Sequence, residues 1–234
     1  MNRPIQNYDD FTSVLLEAGF SMGGGNSDGI FAVISWGWQE YPQYETPVCW
    51  HTGDPETDPW EWRIRVLDER DDIAYAKMFF RKSGFVTRQW APYFLAVRRG
   101  GSTLEEEYED GLISRPAKRI YETILSNEVL PLHAIKQLGG FSKEEKSSFE
   151  RALIELQMKM YITMCGTQQK FSKKGEEYGW SSTVFCTTES FWGGEIFEEA
   201  IKINKQVAIQ RITEQIELLN PDADKKKILK FILG

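Results

Sequence analysis

Apolar positions between residues 114 and 160 recur at helical spacing and predict three consecutive helices. The first occupies 114–126, where apolar side chains lie three and four positions apart. The second occupies 131–138 and ends at two glycines, which commonly terminate helices. The third follows a capping box made by Ser142 and Glu145. Its apolar stripe is one helix face wide and consists of Phe149, Leu153, Leu156 and Met160.

The hydrophobic period changes after the third helix. Residues 160–165 (MYITMC) and 181–186 (SSTVFC) are rich in β-branched and aromatic types, which favour strands, and we expect the loop between them to turn at Gly175. Three helices followed by a strand, a loop and a returning strand are the element order of a winged helix, a helix-turn-helix with an attached β-hairpin. The sequence therefore predicts a winged helix-turn-helix domain.

The region before this domain mixes helix and strand patterns. We predict an amphipathic helix over 9–20 and a buried strand over 30–38. A further helix should begin at Pro59, with Thr57 or Asp58 as its N-cap, because proline suits the first helical position. This region is α+β in character and could form a second winged-helix-like unit.

A β-hairpin is predicted over 73–90, with its turn at Ser83–Gly84, and a short helix follows it. Glycines near residue 100 interrupt the pattern and suggest a boundary. The expected fold class is α+β, in three parts: an acidic, tryptophan-rich region over 1–112, the winged helix over 113–189 and a helical segment over 190–234.

Charge argues against a protein that coats DNA without regard to sequence. The chain holds 35 acidic and 28 basic residues, and its net charge is −7. The imbalance lies in residues 1–113, where we count 19 acidic and 10 basic side chains, whereas residues 114–189 hold 9 and 11. The central part alone is therefore cationic.

Cysteine content and hydropathy indicate a cytoplasmic protein. Three cysteines are too few for a disulfide framework or a four-ligand zinc site. A secretion signal and a long apolar span are both missing from the sequence. We expect no metal, no cofactor and no membrane partner.

The third helix and the hairpin are the elements that would meet double-stranded DNA, the helix in the major groove and the hairpin along an adjacent backbone or groove. Lysine and arginine suit phosphates, whereas serine and glutamine can bond base edges. The candidate DNA-binding residues are Lys143, Lys146, Ser147 and Arg151 on the helix and Gln168, Gln169, Lys170, Lys173 and Lys174 on the hairpin. Alternatively, the unit is a structural or protein-docking module, since glutamates weaken its positive face.

Aromatic residues cluster in the acidic region and offer a second candidate site. Flat rings beside guanidinium groups could stack a base or nucleoside. The candidate pocket residues are Trp36, Trp38, Trp60, Trp62 and Arg63. The alternative is that these tryptophans belong to the core.

Four segments of the chain resemble AlkZ-related proteins, the winged-helix group that contains the AlkZ-type DNA glycosylases. They are FERALIELQMKMYITMCG (149–166), YGWSSTVF (178–185), DPWEWRIRV (58–66) and KMFFRKSGFVTRQWAPYFLAVRR (77–99). The resemblance spans most of residues 50–190. It implies a winged-helix architecture that engages duplex DNA and, in the enzymes, hydrolysis of the glycosidic bond to a damaged base.

The sequence departs from the enzymes of this group at their catalytic motif. Those enzymes carry Gln-x-Gln or Gln-x-Asp in their N-terminal part, and no such triplet precedes residue 113. Catalytic residues are therefore unknown, and it stays open whether the protein is an enzyme.

Three functions are consistent with these patterns. The first is a DNA-binding winged-helix protein in lesion recognition or regulation. The second is a DNA glycosylase that acts on alkylated or crosslinked bases, and the third is a ligand- or protein-binding module with the winged helix as scaffold. The C-terminal helices carry an apolar stripe that packs on the rest of the chain or on another copy, which would form a homodimer.

Overall fold

A computed structural model describes residues 4–35, 44–170, 177, 179 and 181–234. Within these ranges the chain forms six strands and eleven helices, so the fold class is α+β. The strands are β1 (Phe20–Met22), β2 (Ile73–Phe79), β3 (Lys82–Thr87), β4 (Val129–Pro131), β5 (Ile162–Gln168) and β6 (Ser182–Thr187). The helices are α1 (Tyr8–Ala18), α2 (Pro59–Glu69), α3 (Ala91–Arg98), α4 (Leu104–Glu109), α5 (Arg115–Leu125), α6 (Leu132–Leu138), α7 (Lys146–Met158), α8 (Thr188–Trp192), α9 (Glu195–Lys202), α10 (Lys205–Leu219) and α11 (Lys225–Leu233).

The six strands form one antiparallel sheet in the order β1–β3–β2–β5–β6–β4. Strands β1 to β3 come from the first part of the chain, and β4 to β6 come from residues 129–187. The two groups join where β2 pairs with β5 and Tyr75 lies opposite Met164. The sheet therefore runs continuously from one group of strands to the other. The domain limits at residues 112 and 189 stay a prediction.

Side chains of the sheet alternate between two hydrophobic cores, one on each face. Tyr75 and Phe85 join the core formed with α1, α2 and α5 to α7, whereas Ala74 and Val86 join the core formed with α3 and α8 to α11. Because both faces are covered, β2 reads as an almost continuous apolar run. In the described part of the chain, no helix is long and apolar enough to cross a membrane.

The hairpin of β2 and β3 turns at Phe80–Arg81, so the predicted turn at Ser83–Gly84 is wrong. Phe79 pairs with Lys82, which leaves a loop of two residues. Both loop residues have positive φ, 50° and 63°, as a type I′ turn requires. Neither is glycine, so the turn stores backbone strain.

Gly84 lies inside β3 and serves close packing. A Cβ at this position would lie 2.4 Å from Cδ2 of Phe79 and 2.8 Å from the carbonyl oxygen of Ser21. Phe79 is fully buried, and its ring stacks on Phe231 with 4.0 Å between centroids. The glycine therefore lets β1 and β3 and the aromatic core approach one another.

Two predictions in the first part of the chain have opposite outcomes. The helix that begins at Pro59 is confirmed as α2, and the side chain of Asp58 caps it by accepting from the Trp60 N–H at 2.8 Å. The predicted strand over 30–38 is wrong for residues 30–35, which form no strand, and its remainder lies outside the described residues. Residues 30–35 instead bond β1 at isolated points, including the hydrogen bond from the Val33 N–H to Ser21 Oγ.

The three predicted central helices are confirmed as α5, α6 and α7, with changes at both ends of α7. The helix ends at Met158, so Met160 of the predicted stripe lies beyond it and packs in the core on the other face of the sheet. Glu145 accepts a hydrogen bond from the Ser142 N–H, as in a capping box, but it also binds Arg119 at 2.7 Å. The chain makes a further turn there, and the helix begins at Lys146. The pattern also missed β4, a three-residue strand that pairs with β6.

Candidate nucleic-acid interface

The outer face of α7 and the turn before it present cations to solvent. Lys143, Lys146 and Arg151 are exposed, as is Ser147 between them. None of the three cations forms an ion pair with a described residue, although the exposed Glu150 lies on the same helix. This face can therefore contact an anion without first breaking a salt bridge.

A groove of about 380 Å³ lies beside the first turn of α7. It is lined by three lysines, two aromatic rings and a serine: Lys136, Lys143, Lys146, Phe141, Phe149 and Ser142. The Nζ of Lys136 lies 4.9 Å from the centroid of the Phe149 ring. The groove thus combines positive charge with flat apolar surface.

We call this groove the lysine groove. Arg119 and Glu145 lie behind Phe141, one of its lining residues. The Arg119 guanidinium carbon lies 3.6 Å from the centroid of the Phe141 ring, and its Nη2 donates to Glu145 at 2.7 Å. The Ser142 N–H and the Arg119 guanidinium together lower the pKa of Glu145. The charge of Glu145 is therefore balanced by Arg119.

The ends of β5 and β6 carry the predicted hairpin residues. Gln168 pairs with Ser182 at the end of the ladder and is exposed. Gln169 accepts from Ser181 Oγ at 2.7 Å and donates to the Gly179 carbonyl at 3.3 Å, so its amide already bonds the hairpin. Lys170 is half-buried and lacks an ion pair with any described residue. Lys173, Lys174 and Gly175 lie outside the described residues.

The predicted tryptophan pocket separates into two environments. Trp60 and Arg63 line a cavity of about 550 Å³ between α2 and strands β2, β3, β5 and β6, and the Arg63 guanidinium carbon lies 3.3 Å above the Trp60 ring. Trp62 is fully buried and stacks on Phe11, with 5.0 Å between centroids. Trp36 and Trp38 lie outside the described residues.

Sequence reasoning missed several residues of these surfaces. Lys136 and Phe141 complete the lysine groove, and a signal for them exists, because both flank the glycine pair that ends α6. Arg151 lines a different cavity, which runs along α7 from Ser148 to Met158, together with Arg81 and Arg98. Its position therefore differs from that of Lys143 and Lys146.

Comparison with known proteins gives one result. The family model described as AlkZ related matches residues 5–233, nearly the whole chain. Neither a curated protein nor a solved structure gives a match.

Proposed function

Because the chain belongs to the AlkZ-related family, we propose that it binds double-stranded DNA through a winged helix formed by residues 113–189. Within this proposal, α7 is the recognition helix and the β5–β6 hairpin is the wing. The biological role would be lesion recognition or regulation.

The order and pairing of the central elements support a winged helix. The chain passes through α5, β4, α6, α7, β5 and β6, and β6 pairs with both β4 and β5. This adds a short first strand to the helix-turn-helix with attached hairpin. The third helix of such a unit is the one that enters a major groove.

The observation that carries the proposal is the set of unpaired cations on α7, on the turn before it and at the end of the hairpin. Lys143, Lys146 and Lys170 have no ion-pair partner among the described residues, whereas Lys118, Arg119 and Lys159 are each held by a glutamate. Free lysines can neutralise phosphates and release counterions, which supplies most sequence-independent affinity for DNA. Ser147 and Gln168 are exposed beside them and could bond groove edges.

The test measures binding of a fluorescein-labelled duplex by anisotropy over a series of salt concentrations. If about four lysines contact phosphates, the slope of log affinity against log salt is about −3 to −4. The triple variant K143Q/K146Q/K170Q should weaken binding of unrelated sequences alike and flatten the slope by up to about 2.7.

A control variant removes two lysines at the N-terminal end of α11, which belongs to no part of the proposed interface. Lys225 and Lys226 are exposed and lack ion pairs among the described residues, so K225Q/K226Q removes positive charge away from the proposed surface. It should leave the affinity almost unchanged. Equal weakening by both variants, or an affinity that ignores salt, would refute the proposed interface.

Glycosylase activity is the alternative within the same family relation. Base excision needs a group that positions water and a pocket for the extruded nucleotide. The sequence before residue 113 lacks the Gln-x-Gln or Gln-x-Asp triplet. We therefore assign no catalytic residue, and release of a base from alkylated duplex at enzyme excess would be the assay that favours this alternative.

A further inference from the structure

A cavity of about 570 Å³ lies between α7, the N-terminal end of α5, the end of α11 and the β2–β3 turn. Four cations line it: Arg81, Arg98, Arg151 and Lys159. Glu155 is the carboxylate side chain among its described lining residues. We call this cavity the arginine pocket.

Arg98 is a buried cation that is held by carbonyl groups and not by a carboxylate. The residue is 8% exposed, and its guanidinium donates at 2.8–3.0 Å to four backbone carbonyls. These carbonyls belong to Met78, Met158, Phe231 and Ile232. A guanidinium has five N–H donors, so one N–H on Nη2 has no acceptor among the described residues.

The charge of Arg98 is not cancelled inside the protein. Burial lowers its pKa to about 9, so the group is still a cation at neutral pH. Carbonyl dipoles accept from four of its five N–H groups but supply no net negative charge. A buried charge is costly unless it is paired. An anion that enters the pocket would therefore be attracted electrostatically by Arg98.

The acids near the pocket are already engaged. Lys159 binds Glu107 at 2.6 Å. Glu155 accepts hydrogen bonds from the N–H and the hydroxyl of Ser114, at 2.9 and 2.7 Å. Neither Arg81 nor Arg151 forms an ion pair within the described part of the chain. Both guanidinium groups are therefore available to a ligand.

Arg81 reaches the pocket from the two-residue turn between β2 and β3. Arg81 has φ = 63°, a conformation that suits glycine or asparagine and strains a long side chain. Strain of this kind concentrates at functional sites, where it holds a group in place. Arg81 is exposed on this turn and lines the pocket.

We propose that the arginine pocket binds the phosphate group of a small ligand. Guanidinium groups match phosphate oxygens in bidentate geometry, and the volume lies within the range of small-molecule sites. The pocket shares Arg151 with the candidate DNA-binding residues, but Arg81 and Arg98 belong to no part of that interface, so the proposal does not rest on DNA binding.

Isothermal titration calorimetry of the full chain with inorganic phosphate and with adenosine 5′-monophosphate tests it. We expect saturable binding that weakens at least about tenfold, or about 1.4 kcal/mol, in Arg151→Gln and in Arg81→Gly. Arg81→Gly should at the same time raise the melting temperature, because glycine relieves the strained turn. Weaker binding in a more stable protein cannot come from misfolding.

The matched controls are K225Q/K226Q and the groove variant K143Q/K146Q/K170Q, both of which should bind the two probes normally. Failure of both probes to bind, or unchanged affinity in Arg81→Gly and Arg151→Gln, would overturn the proposal. Loss of duplex binding alone in those two variants would overturn it as well, because the cavity would then be part of a DNA surface. If the probes bind but no duplex does, the pocket stands and the DNA proposal falls.

Discussion

Replacing Gly84 by alanine adds one methyl group at the centre of the sheet, between β1 and the aromatic core. The added Cβ would lie 2.4 Å from the Phe79 ring and 2.8 Å from the Ser21 carbonyl oxygen, and real Cβ atoms essentially never come within 3.0 Å of such atoms. The φ of Gly84 is not in the left-handed region, so the expected effect comes from overlap and not from backbone conformation.

The size of the destabilisation depends on whether the Phe79 ring and the Ser21 carbonyl group can shift away from the added methyl group. The Phe79 ring is fully buried and stacked on Phe231, and Ser21 is fixed by pairing with Phe85. Overpacking of a tight core typically costs 1–3 kcal/mol, and a contact with backbone places this case near the upper end. We therefore expect a loss of about 2–3 kcal/mol in the free energy of unfolding, or roughly 5–10 °C in melting temperature for a chain of this length.

Urea unfolding followed by circular dichroism measures this loss. Gly24→Ala is the matched control, because a Cβ at Gly24 meets nothing within 4 Å and its φ is not in the left-handed region. The control should stay within about 0.5 kcal/mol of the parent, as surface substitutions usually do. Equal stability of the two variants would refute the register of β3 against β1 and β2, and with it the position of Arg81.

Two further predictions concern buried polar groups. Burial raises the pKa of Tyr8 and of Tyr121 to about 12. The stability that these protonated groups contribute is therefore complete below about pH 10 and is lost as the pH rises towards 12. Circular dichroism should show alkaline unfolding that Tyr8→Phe shifts to higher pH, and an unshifted transition would contradict this. Arg98→Met leaves four carbonyls without a donor, at about 1 kcal/mol each or more. Removal of a buried charge partly offsets this, so we expect the free energy of unfolding in urea to fall by about 3–5 kcal/mol. A fall below about 1 kcal/mol would show that these bonds do not hold α3 to α11.

Elements with a local cause could be predicted from the sequence. The faces of α5 and α7 follow from side chains three and four positions apart, and α2 begins at a proline with an aspartate before it. Such signals act within one or two helical turns. The AlkZ-related family, first indicated by a resemblance over 50–190, is confirmed over residues 5–233.

Elements with a distant cause could not be predicted. β4 is three residues long and exists because β6, more than 50 residues later, offers it an edge. The turn at Phe80–Arg81 looks unsuitable in isolation, and Gly84 looks like a turn residue. The pairing of Phe79 with Lys82 and the approach of β1 to Gly84 decide the outcome.

The candidate sites show the same division. The exposed position of Lys146 follows from the amphipathic patterning of α7, whereas the arginine pocket draws residues from α3, α5, α7, α11 and the β2–β3 turn. One signal for Arg98 was present, because it lies four positions after Phe94 on the apolar face of α3. An arginine at such a position is more often a surface residue, and its four carbonyl partners become visible only in three dimensions.

The pairing of Tyr75 with Met164 has a practical consequence for dissecting the protein. A fragment that stops before α5 would leave β2 as an open border with unsatisfied N–H and C=O groups, and the complementary fragment would leave β5 in the same state. Exposed edge strands of this kind pair with strands of other molecules. Each half would be prone to self-association, and its behaviour in a binding assay would describe the aggregate instead of the native surface.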